Sequence, residues 1–332
     1  MKRSLFVTLA SFVGLVGSFT ACKQAAPNHE VKPAEVAKSD KRVVEPPSSG
    51  SAAAAADPWT KTTTTEPKDP LEKPLLWSIA KDGKTTYALG TMHIGIDAES
   101  RLPQIVWDKL DAAARFAMET NLNDPALAGM GKRTAGGTLH DELGPEYWKK
   151  LEATVGSAMA RGIDTMKPMI AATLLSLRGL PTTPPMDGVL HGRAINQHKE
   201  IVFLEEAAKE AAILEKWMDL RMLKMMLDQP EKGIQGSKDM LAAYAEGDEG
   251  KIVALSDSQR ADALAHGFTA KEYDESMEDL LYHRNASWIG AIEKMHAAGG
   301  GFIAVGALHL VGKRSVLDLL AAKGYQITRV SP

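Results

Sequence analysis

The chain has 332 residues, 39 basic against 42 acidic side chains, a formal net charge of −3 and a hydrophobic fraction of 44%. That is enough apolar material for a sizeable core, and the slight acidic excess leaves no basic face for nucleic acid. The single cysteine excludes an internal disulfide.

Residues 1–21 carry Lys2 and Arg3, a mostly apolar run from Leu5 to Phe19, and small residues up to Ala21. This is the pattern of a bacterial secretory signal, too short and wrongly flanked for a permanent membrane span. Cys22 follows at once, and Phe19-Thr20-Ala21-Cys22 resembles a lipobox with Phe19 where leucine is usual. Cys22 is therefore expected to become the lipidated first residue of the mature chain. Its position at the signal boundary also removes it as a cysteine nucleophile. Lys23 lacks the aspartate signal of inner-membrane retention, which points to a lipid anchor in the outer membrane facing the periplasm. Residues 22–72 hold seven prolines, a Ser48-Ser49-Gly50-Ser51 stretch, five consecutive alanines and Thr62 to Thr65, with few clusters to bury. They are expected to form a disordered tether, and residues 73–332 one domain.

The domain opens with strand-like residues 75–80, a Lys81-Asp82-Gly83-Lys84 turn and strand-like residues 85–89, a hairpin signal. This leads into Gly90-Thr91-Met92-His93. A loop, a helix from about Pro103 to Ala114 and a strand at 116–118 follow, with Glu119 directly after. Near the other end, the apolar run 302–305 leads into Gly306-Ala307-Leu308-His309, then a helix at 315–322, Gly324 as a stop and a strand at 325–330. The fold class read from this is α/β (α+β): duplicated strand, Gly-x-x-His, loop, helix, strand units forming a central sheet. A mainly helical insert lies between them. Helices are expected over 145–161, 167–177, 187–198, 205–227, 237–245, 256–265, 270–284 and 287–297. Turns are expected at 179–185 and 230–236, and one further sheet strand at 201–204. Trp217, Met218, Met222, Met225 and Met226 have helical spacing and read as adaptable core packing.

Chemistry-bearing residues cluster at the predicted strand ends. Gly90 and Gly306 permit a tight exit or a close backbone approach, and His93 and His309 each supply a metal-binding nitrogen or a general base. Glu119 is placed to bind metal or to take a proton, and equally to cap a helix or loop. Glu205 repeats that position but also opens a helix, where the dipole favours it. Arg284-Asn285 reads as a junction between two helices, suited to holding a carboxylate or an oxyanion, or to tying down an acidic side chain. Asp187 is a second candidate with an N-cap as its alternative. No His-Glu-x-x-His, Gly-x-Ser-x-Gly, phosphate-binding loop or paired Cys-x-x-Cys is present. Separated histidines and carboxylates favour metal-assisted hydrolysis over covalent catalysis.

At these residues the chain resembles the TraB/GumN family, whose relatives include pheromone-shutdown proteins of conjugative plasmids and the animal Tiki proteins. The resemblance spans roughly 75–330 and rests on Gly90 to Gly95, Glu119-Thr120, Asp187 with Leu190 and Ala194, residues 201–205, Arg284-Asn285, and 302–312 leading to Gly324-Tyr325. It implies a metal-dependent hydrolase of the cell envelope, with manganese, cobalt or zinc as the divalent ion, acting on a peptide or protein substrate, a glycan or small amide being the open alternative. His93 and His309 become metal ligands, Glu119 a metal ligand or general base, Arg284 a group that orients the carbonyl or stabilises the oxyanion, and Asn285 its support. Glu205 matches the carboxylate of a family Leu-Glu-Thr segment in which Glu206 here replaces threonine. A non-enzymatic peptide- or metal-binding envelope lipoprotein is the alternative reading.

Overall fold

The computed structural model describes residues 69–332. The expected signal, the anchor at Cys22 and nearly all of the tether lie outside the described residues. The packed domain begins slightly ahead of Lys73: Leu71 is buried, and its N–H donates to the Arg101 carbonyl at 2.8 Å.

In chain order the elements are β1 (Leu76–Lys81), β2 (Lys84–Thr91), α1 (Ala98–Arg101), α2 (Gln104–Ala112), β3 (Arg115–Met118), α3 (Leu139–Val155), α4 (Ser157–Gly162), α5 (Pro168–Leu177), α6 (Met186–Asn196) and β4 (Glu200–Phe203). There follow α7 (Ala207–Trp217), α8 (Leu220–Asp228), α9 (Pro230–Glu246), α10 (Glu249–Asp257), α11 (Gln259–Ala265), α12 (Ala270–Met277), α13 (His283–Ala297), β5 (Phe302–Gly306), α14 (Val316–Ala322) and β6 (Gln326–Arg329).

The six strands form one mixed sheet in the order β4-β3-β5-β2-β1-β6. The β1–β2 hairpin is as expected: Asp82 and Gly83 have φ of 50° and 71°, a left-handed pair that suits the twist of the flanking strands. β2 runs parallel to β5, β5 to β3, and β3 to β4, while β1 is antiparallel to both β2 and β6. Five strands therefore point one way, and their carboxyl ends share one rim of the sheet. The crossover from β2 to β3 steps over β5, whereas the one from β5 to β6 steps over β2 and β1, so the two Gly-x-x-His segments hold different places in the sheet. β5 is the fully buried centre, which explains its unbroken apolar run.

Most of the helical insert packs as a separate layer with its own core, including Leu139, Leu151, Trp217, Met218, Leu223 and Met226. The methionine-rich stretch thus serves as core, with Met225 in a small satellite beside Phe268. Boundaries differ from expectation where a polar cap interrupts an apolar period. The helix expected over 205–227 is two helices, because the Asp219 side chain accepts from the Met222 N–H at 2.8 Å and starts α8. The turn expected at 230–236 is instead the beginning of α9, with Pro230 in the first helical turn, where its missing N–H costs nothing. Most consequential, α12 and α13 are joined without a break by a single π-helical turn, Glu278–Tyr282, so Arg284 and Asn285 lie inside a helix rather than at a junction.

Candidate metal centre

His93 leaves the carboxyl end of β2, and its Nδ1 makes a short contact with Asp187 Oδ2. Asp187 lies in the first turn of α6. Its other oxygen accepts from Thr91 Oγ1 at 2.8 Å, and the chain is pinned there by the Met186 N–H donating to the His93 carbonyl at 3.1 Å. The glycine ahead of this turn allows a close approach. A Cβ on Gly90 would stand 3.1 Å from Ala307 Cα and 3.2 Å from Leu75 Cβ, so the second motif's turn rests directly on the first motif's glycine. Burial would push the His93 imidazolium down, but the Asp187 charge and hydrogen bond, with Glu119 and Glu210 behind them, outweigh it and lift His93 to about 9. Burial likewise opposes the Asp187 charge, and His93 and Thr91 hold that carboxyl below its ordinary range.

His309 sits in the short turn after β5, wholly buried. Its Nδ1 lies 2.6 Å from Asn285 Oδ1, while the Asn285 amide nitrogen donates to the Arg314 carbonyl at 2.9 Å. With the amide so oriented, Nδ1 carries the proton and Nε2 presents a lone pair. That Nε2 faces Glu119 Oε2 at 3.8 Å and Arg284 Nη1 at 3.4 Å. Burial, then the charges of Arg284 and His93, hold His309 well below its ordinary value, so it is neutral.

Between the histidines lie the carboxylates. Glu119, the first residue beyond β3, accepts the Gly306 N–H at 2.7 Å on Oε1 and Arg284 Nη2 at 2.7 Å on Oε2. Glu205 and Glu210 complete a set whose ligand oxygens all lie within 4.8 Å of one another, the spacing of a cation site. Glu119 and Glu210 are buried and Glu205 half-buried. Arg284 enters this set: Nη2 donates to Glu210 Oε1 at 3.0 Å and Nε to Glu205 Oε1 at 2.8 Å, while Nη1 reaches the Leu280 carbonyl at 3.2 Å. Burial works against the Arg284 charge, yet the three carboxylates more than offset it. Burial raises Glu205 against the pull of Arg284. The same cause lifts Glu210 to about 7, with Arg284 opposing and Glu119 and Glu205 adding.

Glu210 was not among the residues singled out from the sequence. Its signal was present: Ala207, Glu210, Ala211, Leu214 and Trp217 form the buried stripe of α7, and a glutamate within an apolar stripe requires a partner. Asp187, Glu205 and all the primary candidates converge on one place, the rim where β2, β3, β4 and β5 end.

Two spaces adjoin the centre. A cavity of about 20 Å³ is lined by His93, Asp187, Glu119, Thr120 and Glu210, room for roughly one ion or water. An open groove of about 700 Å³ runs along Phe203, Glu205, Asp279, His283, Arg284 and Ser287. The guanidinium bonds to all three carboxylates, and the small cavity lies beside two of them, Glu119 and Glu210. There His93, Glu119 and Glu210 converge, with His309 Nε2 against Glu119. Each histidine also has the outer partner that metal-bound imidazoles require, Asp187 for one and Asn285 for the other.

The fold and site together define a mixed α+β domain carrying a buried imidazole and carboxylate cluster, a candidate metal centre, at the carboxyl ends of parallel strands. The sequence profile of the TraB/PrgY/gumN family matches residues 75–329, and the chain belongs to that family. A zebrafish (Danio rerio) protein named metalloprotease TIKI2 is 28% identical over 112 residues, 30% of this chain and 22% of that protein. The matched stretch is thus about a fifth of the relative's length. No solved structure matches. Among the described residues no helix is long and apolar enough to cross a membrane.

Proposed function

We propose that the chain binds one divalent cation through His93, His309, Glu119 and Glu210, and that this centre serves hydrolysis of a peptide or amide bond in the cell envelope. The observation that carries the cation-binding reading is the donor set. The buried His93 imidazole and two buried carboxylates, Glu119 and Glu210, line a space for one ion, the His309 imidazole faces Glu119 from beyond that lining, and each imidazole is oriented by its own outer partner. Imidazole with carboxylate suits manganese, cobalt or zinc better than a soft thiolate-seeking ion. When bound, such an ion polarises a carbonyl and lowers the pKa of water. The chain's own residues supply the rest: Glu119 holds or takes a proton, Asn285 keeps the His309 Nε2 lone pair aimed inward, and Arg284 presents positive charge at the groove where an oxyanion would develop. The groove gives a substrate access to Arg284 and Glu205. The partial likeness to a protein named as a metalloprotease supports the peptide-hydrolysing reading.

A specific observation favours the second reading, a binding lipoprotein without turnover: each Arg284 side-chain nitrogen is engaged by a carboxylate, a carbonyl or His309. The two readings separate in one experiment. The cation-loaded chain is incubated with unfolded polypeptides, and new amino termini are counted for wild type and Glu119→Gln. Cleavage by wild type alone establishes the hydrolase, and no cleavage by a loaded wild type leaves the binding protein. Envelope anchorage through Cys22 belongs to the same proposal, and incorporation of labelled palmitate that disappears in Cys22→Ser tests it.

A further inference from the structure

β4 is the outer strand of the sheet, paired with β3 on one side. Along this parallel ladder the Glu200 N–H donates to the Ala114 carbonyl at 3.1 Å and the Leu204 N–H to the Met118 carbonyl at 3.0 Å. Alternation aims the Val202 amide the same way and turns the N–H and C=O of Ile201 and Phe203 outward, away from the sheet. β4 is half-exposed where β5 is fully buried, and Phe203 is 37% exposed. Edge strands are commonly blunted by charge. Here the adjacent Lys199 is turned inward onto the Asp111 and Ala113 carbonyls, and Glu200 is held by Arg115 at 2.9 Å. The open groove begins at Phe203, where the strand ends, and continues past Glu205 to Arg284. Among the described residues no strand pairs with the outer side of β4, and that edge and the approach to the centre form one continuous surface.

We infer that β4 receives an extended polypeptide as an added strand, its backbone pairing with Ile201 and Phe203 and its chain passing along the groove to the Glu205 and Arg284 side of the centre. The inference rests on the peptide reading above and narrows it to unstructured polypeptide. Outward N–H and C=O groups repeating at alternate residues are matched by a peptide backbone and not by a glycan.

The test uses reduced, carbamidomethylated ribonuclease as the unfolded probe and the full chain in EDTA, so that the probe is not consumed. At saturation, amide exchange at Ile201 and Phe203 slows by about tenfold or more, while Val202, already in the β3 ladder, is unchanged. Ile201→Pro removes one outward N–H without touching that ladder and weakens binding by about tenfold, with circular dichroism and metal loading unchanged. A short probe fragment with alternate amides N-methylated loses affinity for the unaltered chain by the same factor, which removes dependence on the variant's folding. Failure of the probe to bind, unchanged exchange at both amides, or equal affinity of the N-methylated fragment overturns the inference. Edge protection without cleavage in the loaded chain keeps the added strand and removes hydrolysis. Cleavage with an unprotected edge does the reverse.

Discussion

Glu119 Oε1 accepts the Gly306 N–H at 2.7 Å, which ties the end of β3 to the start of the second Gly-x-x-His turn on the neighbouring strand. The same carboxylate receives Arg284 through its other oxygen, so one side chain holds β3, β5 and α13 in register at the rim. Glu119→Ala leaves a buried N–H without an acceptor and Arg284 with one carboxylate fewer. We expect a loss of about 3 kcal/mol in urea unfolding of the metal-free domain, and a smaller loss for Glu119→Gln, which keeps an acceptor for Gly306.

Gly90 is required by contact rather than by dihedral angle. A methyl group there meets Ala307 and Leu75 at 3.1 to 3.3 Å, and two of those three atoms belong to the backbone-bearing turn that carries His309. Gly90→Ala should cost about 1–3 kcal/mol and weaken cation binding as well, because relief requires the second motif to move. Parallel unfolding and titration measurements check both effects.

The His93 and Asp187 pair predicts a pH window for the metal-free protein. His93 is lifted from 6.5 to about 9 in the fold, so its contribution is complete below pH 6.5 and is lost as pH rises through about 9. Asp187 is depressed below 3.8, so its contribution is present above that value and is lost as pH falls through the depressed one. Stability of wild type relative to His93→Gln should therefore decline on the alkaline side toward pH 9, and imidazole resonances should titrate His93 near that value and leave His309 neutral throughout.

Asn285 acts on His309 rather than on a substrate. Removing its oxygen frees the His309 tautomer, and outer partners of this kind are worth about 10–100-fold in metal affinity. Asn285→Ala should show that loss, and Asn285→Asp, which restores an acceptor for Nδ1, should recover part of it. Competition with a fluorescent chelator measures both.

Much of this site was legible in the sequence because its residues sit at strand ends, where an apolar run stops at a polar residue. His93, Glu119, Glu205 and His309 all have that signature, and β4 was readable as a short apolar run between helices. That His93 and His309 both neighbour Glu119 was not legible, since it depends on β5 inserting between β2 and β3, a long-range pairing with no local mark. Glu210 was overlooked because a charged residue in a helix ordinarily faces water, and only its place within the stripe of Ala207, Ala211 and Leu214 argues otherwise. Arg284 and Asn285 resemble a helix junction in sequence because the π turn at Glu278–Tyr282 shifts the helical period, which imitates a break. Pro230 misled for a related reason, since proline marks both a turn and the first turn of a helix.

The most direct measurement is the divalent-ion content of the domain beginning just ahead of Leu71, for wild type, His93→Ala and His309→Ala after identical loading and desalting. About one ion per wild-type chain and loss in both folded variants is the expected result. Equal content in all three, or none in a folded wild type, would contradict a shared metal centre.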